Sequence, residues 1–182
     1  MPPANSSQGD GRGSARKGPR SAADEYRAKI SDEAARIART LRKEGHAPPF
    51  GDPASGVMFV VESPAGPRVT DALQRSLDSV GLAEAYAVPS STGLLHEILL
   101  ALEPSILVVV GPEAAREIDA LQYPLTRRPF SDAAEGDLFS WTAGTVGLRL
   151  PLLTPALDDE AAKRRFWKAF LSLRGPLLAG RT

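Results

Sequence analysis

Apolar residues from Asp24 to Glu44 recur at helical spacing: Tyr26, Ile30, Ile37 and Leu41 fall near one stripe and Arg27, Lys29, Arg36, Arg39, Arg42 and Lys43 cover the rest. That pattern predicts an amphipathic helix, stopped by Gly45. The Pro- and Gly-rich stretch His46 to Gly56 breaks it and reads as a loop. Val57 to Val61 is an unbroken β-branched and aromatic run, hence a buried strand, and Glu62-Ser63-Pro64-Ala65-Gly66 is the turn after it. Thr70 is placed to cap a helix reaching Val80, with Leu73, Leu77 and Val80 inward and Gly81 as the stop. Tyr86 to Val88 is a short second strand that runs into Pro89-Ser90-Ser91-Thr92-Gly93. A helix from Leu94 to Leu102 feeds Ile106 to Val110, a central parallel strand, and Gly111-Pro112 opens the helix Glu113 to Leu121. Phe139 to Thr142 and Val146 to Leu150 either pair as a hairpin around Ala143-Gly144, or the second is the last strand alone. Glu160 to Leu173 closes the chain as an amphipathic helix with Phe166, Trp167, Phe170 and Leu171, Trp167 being expected to pack it onto the sheet.

Strands alternating with helices predict an α/β fold, a three-layer α/β/α sandwich around a central, mostly parallel four-stranded sheet. The folded domain is expected over 57–175, preceded by a helix and linker over 23–56. The Gly-, Pro- and Ser-rich segment 1–22, with Arg12, Arg16, Lys17 and Arg20 against Asp10, reads as a disordered basic tail, and 176–182 as a flexible end. In such a sheet a ligand binds beyond the carboxyl ends of the strands.

Composition then removes whole classes of function. Lys plus Arg equals Asp plus Glu at 22 each, so a nucleic acid would have to meet a local patch rather than a global field. The chain has no cysteine, which excludes disulfides, thiolate metal sites and a cysteine nucleophile. No Gly-rich dinucleotide fingerprint or phosphate loop with its lysine is present, and no metal or cofactor is expected. With no apolar leader and no membrane-length run, the expectation is a cytoplasmic monomer that does not engage a membrane.

The order of strand-end segments resembles the uracil-DNA glycosylase superfamily, in particular its compact bacterial branch, whose members usually carry an iron–sulfur cluster. There, one strand ends in Gly-Glu-x-Pro-Gly and a second in a Thr-Asn turn. A third follows Leu-x-Pro and ends in Leu-Gly, and a fourth ends in His-Pro-Ser ahead of a basic, Trp-containing helix. Here the first is Val61-Glu62-Ser63-Pro64-Ala65-Gly66 and the second Tyr86 to Thr92. The third is Leu102-Glu103-Pro104 through Val110-Gly111, and the fourth Thr154-Pro155-Ala156 before Lys163-Arg164-Arg165-Phe166-Trp167. The resemblance spans Val57 to Leu173.

It implies a DNA-repair activity in which Glu62 orients the attacking water and Thr154 supports the leaving base, with Ser63, Pro64, Pro89, Ser90, Ser91 and Gly111 lining the pocket. Two substitutions stand against that chemistry. Pro89 occupies the position of the base-reading Asn and offers no amide, and Thr154 occupies that of the charge-stabilising His. The cluster cysteines are also missing, so the iron–sulfur group of that branch has no ligands here. Glu62 reads equally as an exposed turn acid, and Ser90 to Thr92 as a helix cap. Phosphate contacts are expected from Arg127 and Arg128, set between Tyr123 and Phe130, and from Lys163, Arg164 and Arg165, although three successive helical positions cannot all face one way. His46 reads as exposed, and the His96-Glu97 pair at a helix start as packed or solvent-facing. The expected function is therefore a catalytically degenerate scaffold that binds nucleic acid or a protein partner through the strand-end cleft. The alternative is an active DNA glycosylase excising a damaged or deaminated base.

Overall fold

A computed structural model describes residues 21–179, with side chains described through Pro176; the tail predicted over 1–22 lies outside these residues except for its last two positions. Helix α1 (Ala22–Lys43) begins there, because Ser21 and Asp24 cap each other's backbone N–H groups in a reciprocal box. The remaining elements follow as β1 (Val57–Val61), α2 (Pro67–Ser79), β2 (Tyr86–Pro89), α3 (Leu95–Leu102), β3 (Ile106–Val110) and α4 (Pro112–Ala120). Then come β4 (Leu138–Ser140), β5 (Val146–Leu150), α5 (Glu160–Phe170) and α6 (Arg174–Ala179). Helix α6 extends through Ala179, four residues into the end read as flexible from 176. Helix α2 starts three residues before Thr70, since Pro67 supplies a preset φ at the first helical position and lacks only an N–H that has no helical acceptor anyway.

The sheet has five strands, not the four expected, in the order β2-β1-β3-β5-β4. β2, β1, β3 and β5 are parallel, and β4 runs antiparallel to β5 as the hairpin alternative anticipated. Helices pack on both faces, and the alternation of strand side chains separates the two cores. Met58, Val60, Leu107 and Val109 meet α1, α3 and α4 on one face. Phe59, Val61, Val108 and Val110 meet α2 and α5 on the other. Helix α1 belongs to the first core, with Ile30, Ile37 and Leu41 buried. Phe50, in the linker, exchanges backbone hydrogen bonds with Ala87 at 3.1 and 2.9 Å and so lies along the outer side of β2.

Trp167 does not anchor the last helix, contrary to the sequence expectation. It is 36% exposed, while Phe166 and Phe170 are buried beneath it and Trp141, after β4, is the tryptophan inside the core at 2%. Phe166 and Phe170 are four apart and share the inward stripe, and Trp167, one position on from Phe166, is rotated away from it.

Burial pushes the Tyr86 phenol, on β2, up to about 12. Below pH ~10 the phenol is protonated in both folded and unfolded chains; above that, the unfolded chain ionises first, so stability falls as pH rises from ~10 to ~12. The expected loss is about 2 to 3 kcal/mol at about 1.4 kcal/mol per pH unit. Urea unfolding at pH 9 and 12 should show a steeper alkaline loss in the parent protein than in Tyr86→Phe; equal losses would refute the assignment.

Candidate functional site

The carboxyl ends of the four parallel strands form a straight front. Pro89, Val61, Val110 and Leu150 occupy one row across β2, β1, β3 and β5. Beyond that row the ladder takes one more step: Ser90 N–H donates to the Val61 carbonyl at 2.8 Å, Glu62 N–H to Val110 at 2.9 Å and Gly111 N–H to Leu150 at 3.1 Å. The structure thus brings Glu62, Pro89, Ser90 and Gly111 together. The connection from β1 leads to β2 on one side while β3 lies on the other, so Glu62 and Gly111 flank the point where the strand order reverses.

At that point the Glu62 carboxylate accepts a hydrogen bond from the Glu113 backbone N–H at 2.8 Å, capping the first turn of α4. The residue before the helix, Gly111, has no side chain to do so, and its φ of 99° with ψ of 153° is a conformation almost confined to glycine. A Cβ on Gly111 would overlap the Glu62 side chain, falling 2.8 Å from its Cβ. Missing side chain, unusual backbone and borrowed carboxylate therefore form one device: Glu62 does the work of a helix cap from the neighbouring strand.

The adjoining loops are tied to each other. Ser63 N–H donates to Ser90 Oγ at 3.3 Å and Ser91 N–H to Ser63 Oγ at 3.4 Å. Ser90 is buried, and Thr92, also buried, accepts from Leu94 N–H at 3.1 Å; Leu94 is itself the residue before α3, so none of Ser90, Ser91 and Thr92 caps that helix with its side chain. Pro64 is exposed. Thr154 opens a 3₁₀ turn four residues after β5 and is exposed, with no side-chain hydrogen bond among the described residues. An Arg68–Asp158 pair at 2.8 Å ties that turn to the start of α2. The strand-end pocket beside Pro89, between the linker residues Ala47, Pro48 and Phe50 and β1, has a volume of about 30 Å³. That is space for about one water, and none of Glu62, Ser63, Ser90 and Gly111 lines it.

The expected phosphate contacts do not form one surface. Arg127 donates through its backbone to the Trp141 carbonyl and through Nη1 to Ser140 Oγ, at the turn entering β5 and thus at the opposite, amino end of the sheet. Arg128 donates to the Asp132 carbonyl and lies over the Phe139 ring, 5.5 Å from its centre. Arg165 is paired with Glu135 through two nitrogens, at 2.6 and 2.8 Å. Lys163 and Arg164 instead line a groove of about 610 Å³ between α2 and α5, where they face Arg75 and adjoin Trp167.

Arg75 escaped the sequence reading because it sits on α2 while Lys163 and Arg164 sit on α5, and nothing in either helix's own pattern shows that both pack on the turn Thr154–Leu157 and so border one groove. The one signal in the sequence was the run of small residues Ala72, Ser76 and Ser79, spaced four and three apart, which leaves one side of α2 low enough for a groove.

No group of three or more His, Asp or Glu side chains that could hold a metal occurs among the described residues, and no helix among them is long and apolar enough to cross a membrane. His46 lies 3.8 Å from Glu44, a neighbour not anticipated from the sequence, and His96 packs edge-on to Tyr123. Fold and site define an open α/β sheet protein with a reversal point at β1 and β3. No protein-family model matches the chain, and no curated protein matches its sequence.

Proposed function

We propose that this chain is a catalytically degenerate uracil-DNA glycosylase-like protein, a three-layer α/β/α scaffold that binds nucleic acid or a protein partner and does not hydrolyse glycosidic bonds. The observation that carries this reading is the engagement of the Glu62 carboxylate with the α4 backbone. A carboxylate that would have to position water is here the cap of a helix terminus, which occupies one of its oxygens. Pro89 and Thr154 add to the same side, since neither supplies the amide or imidazole that the resemblance calls for.

The test is incubation with single- and double-stranded oligonucleotides carrying uracil, hypoxanthine or xanthine, followed by alkaline cleavage at abasic sites. No release above a protein-free control is expected. Each missing transition-state contact is typically worth a few kcal/mol, or about a hundredfold in rate. Robust release that disappears in Glu62→Gln would overturn the reading and restore an active glycosylase.

A further inference from the structure

We infer that the groove between α2 and α5 binds single-stranded nucleic acid, with phosphates on Arg75, Lys163 and Arg164 and a base on Trp167. The inference rests on the binding-scaffold reading above and gives it a location away from the strand-end front.

Three cations border the groove, Arg75 from α2 and Lys163 and Arg164 from α5, against one carboxylate, Glu160, which lies 3.6 Å from Lys163. Arg75 and Arg164 have no ion-pair partner among the described residues. Guanidinium groups in that state present a planar fork of donors suited to phosphate. Trp167 is held nearly parallel to Phe170, with ring centres 5.5 Å apart and planes at 17°. One part of the indole is therefore fixed against the core side while 36% of the residue stays exposed. A fixed, exposed aromatic beside unpaired cations is the combination that holds unpaired bases and their backbone.

A duplex keeps its base faces stacked internally, so Trp167 would gain nothing from it. An acidic peptide would meet the cations but needs no stacking platform.

The experiment titrates the full chain with a twelve-residue oligothymidylate and follows tryptophan fluorescence and filter binding over a range of salt. The chain has two tryptophans, and Trp141 is buried, so quenching reports Trp167. Quenching on binding is expected. Arg75→Gln and Arg164→Gln should each weaken binding and reduce the log–log salt slope by about 0.7. Trp167→Leu should abolish the quench and weaken binding about tenfold, within the range for loss of one stacked base. Far-ultraviolet circular dichroism checks its fold, and the exposed Arg164→Gln variant keeps the test decisive should Trp167→Leu misfold. Absence of quenching, salt slopes unchanged in both arginine variants, or displacement of the oligonucleotide by a Leu/Glu peptide that binds more tightly would each overturn the assignment. Uracil release, measured in parallel tubes on the same oligonucleotide with one thymidine replaced by deoxyuridine, separates the two readings. Quenching with release would sink the non-catalytic reading and leave the groove, whereas neither signal would sink the groove and leave the non-catalytic reading.

Discussion

Gly111→Ala is expected to destabilise the protein by about 1.5 to 5 kcal/mol, a large effect for adding a single methyl group. Two costs combine. Alanine at φ 99°, ψ 153° incurs about 1 to 3 kcal/mol of backbone strain. Displacing the Glu62 carboxylate removes the α4 cap, worth about 0.5 to 2 kcal/mol. Glu62→Gln keeps an acceptor for the Glu113 N–H and should change stability by less than about 1 kcal/mol. In the Glu62→Ala background the overlap with the carboxylate is gone and no cap remains to be displaced, although the 2.8 Å approach to the residue-62 Cβ stays, so Gly111→Ala should cost less there than in the parent chain. Urea unfolding of the parent, the two alanine variants and their double variant measures the cycle. Strict additivity would show that the two residues do not form one device.

Phe170→Ala should cost about 3 to 5 kcal/mol, and Trp167→Ala about 1 kcal/mol. Phe170 is fully buried, contacts Phe59 at 6.3 Å between ring centres and stacks with both Phe166 and Trp167. Its removal leaves a cavity between α5 and the sheet, while Trp167 loses only a stacking contact at the surface. Thermal unfolding of the two variants checks the order. A larger loss for Trp167→Ala would mean that the indole, and not Phe170, holds the helix.

Much of the frame could be read from the chain because it depends on local pattern. Val57 to Val61 and Ile106 to Val110 are too apolar to be anything but buried strands, and their shared direction aligns the turns after them. β4 is harder to read because it is three residues long and places an apolar residue, Leu138, at an exposed position beside the buried Phe139, so residue types do not alternate although burial does. Glu62 could be placed at the front, but its partner lies 51 positions away, and the link depends on a backbone conformation at Gly111 that sequence alone does not display. The arginines divided for a similar reason: Arg127 follows α4 to the far end of the sheet, whereas Lys163 and Arg164 share a groove with Arg75 only because α2 and α5 both pack on the turn Thr154–Leu157.

The position of Phe50 limits how anything can attach. By bonding both ways to Ala87 it occupies the flank of β2, where an incoming chain would otherwise extend the sheet. The opposite flank belongs to β4, three residues long and already adjoined by the Arg127 backbone at Trp141. Augmentation by a donor strand, and the runaway stacking that leads to fibrils, are thereby discouraged at both borders. What stays open to a partner is the helical layers and the loops at the ends of the strands.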